Sequence, residues 1–257
     1  MNEVIFLGSG ASTGIPVVGC SCKVCLSSSI YNKRLRPSIL IKLNKKNILV
    51  DVGPDIRYQA LIYDINKIDN IIITHAHYDH IGGIDDMRIF NRLQKKSIKT
   101  FLSEDSFNEI SRRYDYIFKP NKKGHSQSAS FNFKVLKEDI GEFKINRDTF
   151  KYFSYFQDSK KILGFRIKNF AYLTDIKRYD ESIFKKLKNL DYLVISCLRV
   201  QKCVVHFNVE QAIKFAKKVK AKKTYLTHIG HEINHSFLEN NLPNNIFPAY
   251  DGLVINF

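Results

Sequence analysis

Three histidines and an aspartate fall within six consecutive positions. The stretch ITHAHYDHIGG, residues 73–83, presents His75, His77, Asp79 and His80 directly behind the apolar run NIIIT. His75 and His77 stand two apart, which on an extended segment suits a single bite on one metal ion. Asp79 and His80 follow as the chain turns and can face a second ion. Gly82 and Gly83 permit a tight turn into a following helix. Imidazole with carboxylate suits Zn²⁺, Mn²⁺ or Fe²⁺, with water completing the shell. A lone loop histidine is usually only solvated, but H-x-H-x-D-H after a strand is far denser than a solvated loop requires.

A second set of ligand types is CSCKVC, which holds Cys20, Cys22 and Cys25. Three thiolates at C-x-C-x₂-C spacing make three corners of a tetrahedral Zn²⁺ site and call for a fourth ligand. Reduced thiols, or a redox pair at Cys22 and Cys25, are the alternatives. The cysteine count of five is odd, which speaks against a disulfide framework. Cys197, at a strand end, reads as a small buried side chain, and Cys203 is unassigned. Two further ligand-capable residues directly follow apolar runs: Asp175 closes FAYLTD and His228 closes TYLTH. His206, in CVVHFNVEQ, lies just before a helix start and has the neutral-range chemistry of a general acid.

These side chains need a frame. Short β-type runs occur at 3–9, 38–43, 47–52, 70–74 and 98–102, then at 131–136, 149–156, 162–167, 170–174 and 191–196, and finally at 224–228 and 253–257. Helix-like patterns lie at about 55–63, 83–95, 103–117, 180–189 and 208–220. The last begins at Asn208 with Gln211 three residues on, close to a capping box, and carries a core stripe of Ala212, Ile213, Phe215 and Ala216. With no repeat and no long linker, one domain over 1–257 built of two packed sheets and flanking helices is the simplest reading. The polar segment 119–130 is a candidate mobile surface loop.

Composition bounds the partners. The 257 residues are 44% hydrophobic and 26% charged, which is ordinary for a soluble globular chain. The start MNEVIFLGSG lacks the pattern of a signal peptide, and no apolar run approaches the ~18–20 residues of a membrane span. A cytoplasmic location with no membrane partner is therefore expected. The net charge of +16 is spread along the chain rather than gathered in a block. That favours compositional drift, with a general attraction for anionic substrates, over a dedicated nucleic-acid surface.

THAHYDH resembles the metal signature of the metallo-β-lactamase superfamily. LGSGASTGIPVVGCSCKVC, LVDVGPD, YLTD and LTHIGHE follow that family's order across essentially the whole chain. GCSCKVC and LTHIGHE narrow the resemblance to PhnP-type cyclic phosphodiesterases of phosphonate breakdown. The resemblance implies an α/β fold, a four-layer αββα sandwich with two metals at one edge of the sheets. His75 and His77 would bind the first metal, and Asp79 and His80 the second. Asp175 would bridge them and His228 would complete the second. His231 would be the fourth ligand of a structural Zn²⁺ held by Cys20, Cys22 and Cys25. His206, acting near the leaving group, and Asp79 would be the catalytic side chains. The family also places a histidine on the first metal, in a segment like N-H-S-K…F-G-Y. Counting back from Gly164 in QDSKKILGF puts Asp158 there. An aspartate can ligate through oxygen, or the first metal is weak or lost; His125 is a lesser substitute.

What the resemblance implies is a phosphodiesterase acting on a small, cyclic phosphodiester with a hydroxide held by two divalent ions, Mn²⁺ or Zn²⁺ with Fe²⁺ as an option. The rival is an RNA-processing phosphodiesterase like the tRNA 3′-end endonucleases, which usually carry a long flexible arm; no segment here matches one. A third reading is a catalytically weakened, zinc-stapled binding protein. The expected partner is a small anionic phosphodiester. Nucleic acid is not favoured, and a homodimer is an option.

Overall fold

The computed structural model describes residues 2–119 and 128–257. Most of the loop expected at 119–130, with His125, lies outside the described residues. The chain forms two seven-stranded sheets. The first contains β1 (Glu3–Gly8), β2 (Ser38–Leu43), β3 (Lys46–Val50), β4 (Asn70–Ile72), β5 (Ile98–Ser103) and β6 (Phe131–Leu136). The second runs through β7 (Ile140–Ile145), β8 (Asp148–Gln157), β9 (Lys160–Ile167), β10 (Phe170–Leu173), β11 (Tyr192–Ser196), β12 (Lys223–Thr227) and β13 (Ile246–Pro248). β14 (Val254–Asn256) returns to pair with β1. Each sheet is antiparallel in one half and parallel in the other, β3 to β6 and β10 to β13.

Side-chain alternation divides each sheet into two buried faces. Val4, Phe6, Ile39, Ile41, Ile48 and Val50 face Phe150, Phe165, Phe170, Tyr172 and Val194 between the sheets. Their neighbours Ile5, Leu7, Leu40, Leu49 and Ile71 face outward onto Ile56, Ile81 and Met87 of one helical layer. On the far side, Ala171, Leu173, Leu193, Ile195 and Leu226 pack against Ala212, Phe215 and Ala216 of helix Val209–Val219. The result is the αββα sandwich expected from the motifs. The helix start is also as read: Asn208 and Gln211 form a reciprocal capping box.

Elsewhere the elements differ from the pattern reading. The helical pattern at 180–189 yields only the single turn Ile183–Lys186. The pattern at 83–95 splits into a 3₁₀ turn, Ile84–Asp86, and helix Met87–Gln94. β7 and β13 lie at the two edges of the second sheet, where one-sided pairing tolerates polar and short sequences that carry little strand signal. Among the described residues no helix is long and apolar enough to cross a membrane.

The parallel halves matter for function because β3, β4, β10 and β12 end at a common edge, where the chain must leave the sheet and present ligands. Asp51, Asp175 and His228 do so in the left-handed region, with φ of 63°, 54° and 58°. A non-glycine residue is strained there by roughly 1–2 kcal/mol, a cost that clusters at functional sites.

A buried guanidinium ties the N-terminal loop to this edge. Arg34 is 1% exposed. Its Nη1 donates to the carbonyls of Gly230 and Ile233 at 3.3 and 3.1 Å, and its Nη2 to Ile233 O and Asn32 Oδ1 at 3.1 and 3.2 Å. Burial lowers its pKa to about 10, which leaves it charged at neutral pH. Asp251 secures the same loop by accepting from Ser9 N, Ser9 Oγ and Leu35 N at 2.7–2.8 Å. Arg34→Met keeps the stem but strips these carbonyls of their donors, and is expected to cost about 2–4 kcal/mol. Equilibrium urea unfolding reads this directly; a loss under about 1 kcal/mol would show that the carbonyls find other partners.

Candidate metal centre

Asp51, wholly buried at the end of β3, organises the histidine loop. Its carboxylate accepts from Thr74 N at 2.7 Å and from Thr74 Oγ1 at 2.8 Å. It also pairs with His80 Nδ1 at 2.7 Å. With Nδ1 engaged, the opposite nitrogen of His80 is turned into the site. Close backbone approach fixes the same region: a Cβ on Gly53 would sit 2.2 Å from Asp79 O, and one on Gly83 would sit 2.3 Å from Gly53 O. The glycine of LVDVGPD is therefore required by contact with helix Tyr78–Ile81.

The loop's side chains meet those from the later strand ends. His80 Nε2 lies 3.3 Å from Asp79 Oδ2 and 3.2 Å from Asp175 Oδ2. His228 Nε2 lies 3.4 Å from Asp79 Oδ2 and 3.2 Å from Asp175 Oδ1. His206 Nδ1 approaches Asp175 Oδ1 at 3.4 Å. His75 Nε2 and His77 Nδ1 are 2.9 Å apart, and the rings of His75 and His80 stand 4.1 Å centre to centre. Ligand atoms of His75, His80 and Asp175, of Asp79, His80 and His228, and of Asp175, His206 and His228 converge within 4.8 Å in each group.

Two carboxylates buried within one cluster demand positive charge. Burial alone would raise Asp175 and Asp79, but the neighbouring histidines hold both well below the usual range. Burial would lower His80, yet Asp79, Asp51 and Asp175 together hold it well above its ordinary value. The carboxylates thus call for positive charge at their centre, which a divalent cation would supply. Among the described residues His80 Nε2 finds no hydrogen-bond partner despite its carboxylate neighbours, which is the arrangement of a ligand nitrogen aimed at a cation. Burial, then the charge of His80, lowers His75 well below its ordinary value, and burial lowers His77, so both favour the neutral, metal-binding form. The donor set fits a divalent metal.

The cysteine cluster is also assembled. The Sγ atoms of Cys20, Cys22 and Cys25 lie 3.3, 3.6 and 3.6 Å from His231 Nδ1. Val17 N donates to Cys25 Sγ at 3.3 Å and Cys25 N to Cys22 Sγ at 3.4 Å. The Cys25 amide, against a smaller opposing effect of burial, brings the Cys22 thiol down to about 6, while burial raises Cys25. Cys197 is separate, and burial pushes it up to about 12, so it is an inert core thiol.

The structure does not bring Asp158 to the cluster. β8 and β9 form a hairpin in which Gln157 pairs with Lys160, leaving Asp158 and Ser159 as the turn. Asp158 is exposed, has φ of 48°, and among the described residues its Oδ2 faces Ser159 Oγ at 3.4 Å. The inward position is one residue earlier. Gln157 is 7% exposed, with Nε2 2.8 Å from His206 Nε2 and 3.4 Å from Asp175 Oδ1. Its Oε1 is buried and has no hydrogen-bond partner among the described residues. Counting from Gly164 overlooks the strand parity that sets Tyr155 and Gln157 on one face. Asp51 is the other residue whose role the motif reading left unassigned.

The family model described as the β-lactamase superfamily domain matches residues 46–229. An octanoyltransferase of Porphyromonas gingivalis is 34% identical over 253 residues, covering 97% of this chain and 50% of that protein. The chain thus spans about half the length of that curated relative. Over 100% of this chain and 98% of the other, it superposes on a crystal structure described as a new diphosphatase from the PhnP family, with TM-score 0.90 and 33% identity. Zn²⁺-bound PqqB from Methylobacterium extorquens shares the fold, with TM-score 0.79 and 17% identity over 99% of this chain and 100% of that one.

Replacing Cys22 with Ser is expected to lower zinc, measured by elemental analysis of the purified protein, by one ion per chain. Unchanged zinc content would show that the thiolates do not hold it.

Proposed function

The chain belongs to the β-lactamase superfamily, and on that premise we propose that it is a metal-dependent hydrolase that cleaves P–O bonds in small anionic phosphodiesters, cyclic phosphodiesters and diphosphate esters included. The observation that carries the reading is the buried meeting of Asp79, His80, Asp175 and His228 at one sheet edge. Likeness over the whole chain to a PhnP-family diphosphatase supports phosphorus as the electrophile.

Asp79, His80, Asp175 and His228 would hold one cation, and His75 and His77, sharing Asp175, the other. When bound, divalent cations supply Lewis-acid charge and lower the pKa of a coordinated water. The remaining work belongs to the chain. Asp51 fixes the ring of His80, so that its free nitrogen is presented without reorganisation. His206 sits beside Asp175 at the rim of the cluster. Burial, opposed in part by Asp175, lowers it to about 4, so its ring is neutral before substrate arrives. A phosphodiester anion beside it favours the protonated form, and His206 then stands ready to give a proton to the departing oxygen. The net charge of +16 favours approach of such an anion.

Bis(p-nitrophenyl) phosphate, a 2′,3′-cyclic nucleotide, a nucleoside diphosphate ester and a precursor tRNA, each assayed with Mn²⁺, Zn²⁺ and Fe²⁺, separate the readings. Turnover of the small esters is expected. Cleavage of the tRNA alone would favour the RNA-processing alternative, and no turnover at all would leave a binding protein. Asp175→Ala should reduce kcat at least ~10³-fold. His206→Ala should lose about 10²–10⁴-fold on alkyl leaving groups but less than about 10-fold on p-nitrophenolate, which departs without a proton. Equal losses on both would remove His206 from proton transfer.

A further inference from the structure

We propose that the outer face of β8 and β9 carries a second binding site, separate from the metal centre, that takes a compact polyphosphate group by its charge. Its chemistry is independent of the hydrolase reading above.

The site is a cleft of about 460 Å³, the size of a small-molecule pocket. Nine residues line it, and six of them are cations: Lys151, Arg166, Lys168, Lys185, Lys186 and Lys188. Lysine and arginine make up 41 of the 257 residues, so the cleft holds far more of them than an even spread supplies. No aspartate or glutamate lines it. Asp148 stands at its border, 3.6 Å from Lys168 Nζ, and Glu142 is the ladder partner of Lys151. Among the described residues Lys151, Lys185, Lys186 and Lys188 form no ion pair.

The sequence scatters these cations over three segments, and the sheet gathers them. Phe150 and Tyr152 turn inward between the sheets, so Thr149, Lys151 and Phe153 face outward. Arg166 stands across the ladder from Lys151, between the inward Phe165 and Ile167. The neighbouring helical segment is the single turn Ile183–Lys186, and Lys151 and Lys168 remain exposed beside it. Arg166 binds the parts together. Its Nε donates to Lys168 O at 2.7 Å, and its Nη1 to Lys186 O and Lys188 O at 3.1 and 2.5 Å. Its Nη2 has no protein partner among the described residues.

Five ammonium groups and a guanidinium around one cleft repel one another, and an occupant with several negative charges relieves that repulsion. Lysine meets phosphate as a point charge. Phe153, the aromatic residue of the lining, is 3% exposed. It offers no ring face to a base, unlike the stacking platforms that hold single-stranded nucleic acid. Lys151 precedes Gln157 by roughly 20 Å of strand, so an occupant of this cleft does not reach the metal ligands.

Calorimetric titration of the whole chain, in about 0.15 M salt and without added divalent cation, tests the site with inorganic tripolyphosphate, orthophosphate and an RNA duplex. Tripolyphosphate should bind at one per chain, at least ~10-fold more tightly than orthophosphate. Lys185→Glu with Lys188→Glu should weaken it at least ~10-fold, and Lys151→Gln, which alters β8 alone, at least ~3-fold. The same charge change elsewhere, Lys134→Glu on β6 with Lys217→Glu on helix Val209–Val219, should leave Kd within about threefold of wild type, because salt screens distant charges. Equal losses in the cleft and control variants would reduce the effect to general attraction by a chain of net charge +16 and overturn the proposal. So would binding that never saturates, or an unmoved Kd in Lys151→Gln. RNA held more tightly than tripolyphosphate by the same lysines would equally overturn it.

Discussion

The arrangement of this edge depends on one carboxylate that touches neither solvent nor, by its position, substrate. Asp51 gathers the amide and hydroxyl of Thr74 and the ring of His80. It thereby joins the end of β3 to the end of β4 and to the short helix beyond. Burial pushes its carboxyl upward, and the charge of His80 is the first influence that opposes this. The pairing offsets part of the cost of burying each group. The ligand loop needs this anchor because only four residues of helix, Tyr78–Ile81, follow it, too few to be stable alone.

Strain is concentrated in the same place. Asp51, Asp175 and His228 all take left-handed backbone conformations within two residues of strand ends. A glycine would adopt this geometry more easily but would supply no carboxylate or imidazole. The extended hydrophobic faces on both sides of each sheet offset the local cost, since they hold the strand ends fixed whatever the adjoining residue prefers.

Much of this was legible from residue types. Two-sheet layering follows from recurrent short apolar runs, and Asp175 and His228 stand out as ligand-capable residues directly behind strands. The cysteine spacing announces a tetrahedral site, although its fourth corner at His231 is visible only by family resemblance. Gln157 was hidden for a specific reason. Which residue of QDSKKILGF faces inward depends on where the hairpin turns, and a shift of one position reverses the face. Asp51 was hidden differently: a residue that orients a ligand leaves no spacing signature, because its partners lie 23 and 29 positions away. β7 was hidden because an edge strand need satisfy only one neighbour.

The turn 228–231 carries one imidazole to the carboxylate cluster and another, three residues on, to the sulfur cluster. Both Ser9 and Ala11 bond to Ile229 between them, and Arg34 clasps the carbonyls just beyond. The four residues therefore act as a rigid splint spanning two chemically distinct environments. A cluster of thiolates, soft donors of the kind that suits Zn²⁺, thus shares its mounting with a cluster of harder oxygen and nitrogen donors. Metal supply would then act on this protein twice, once as the reagent of its chemistry and once as a fastener of the part that aims His228.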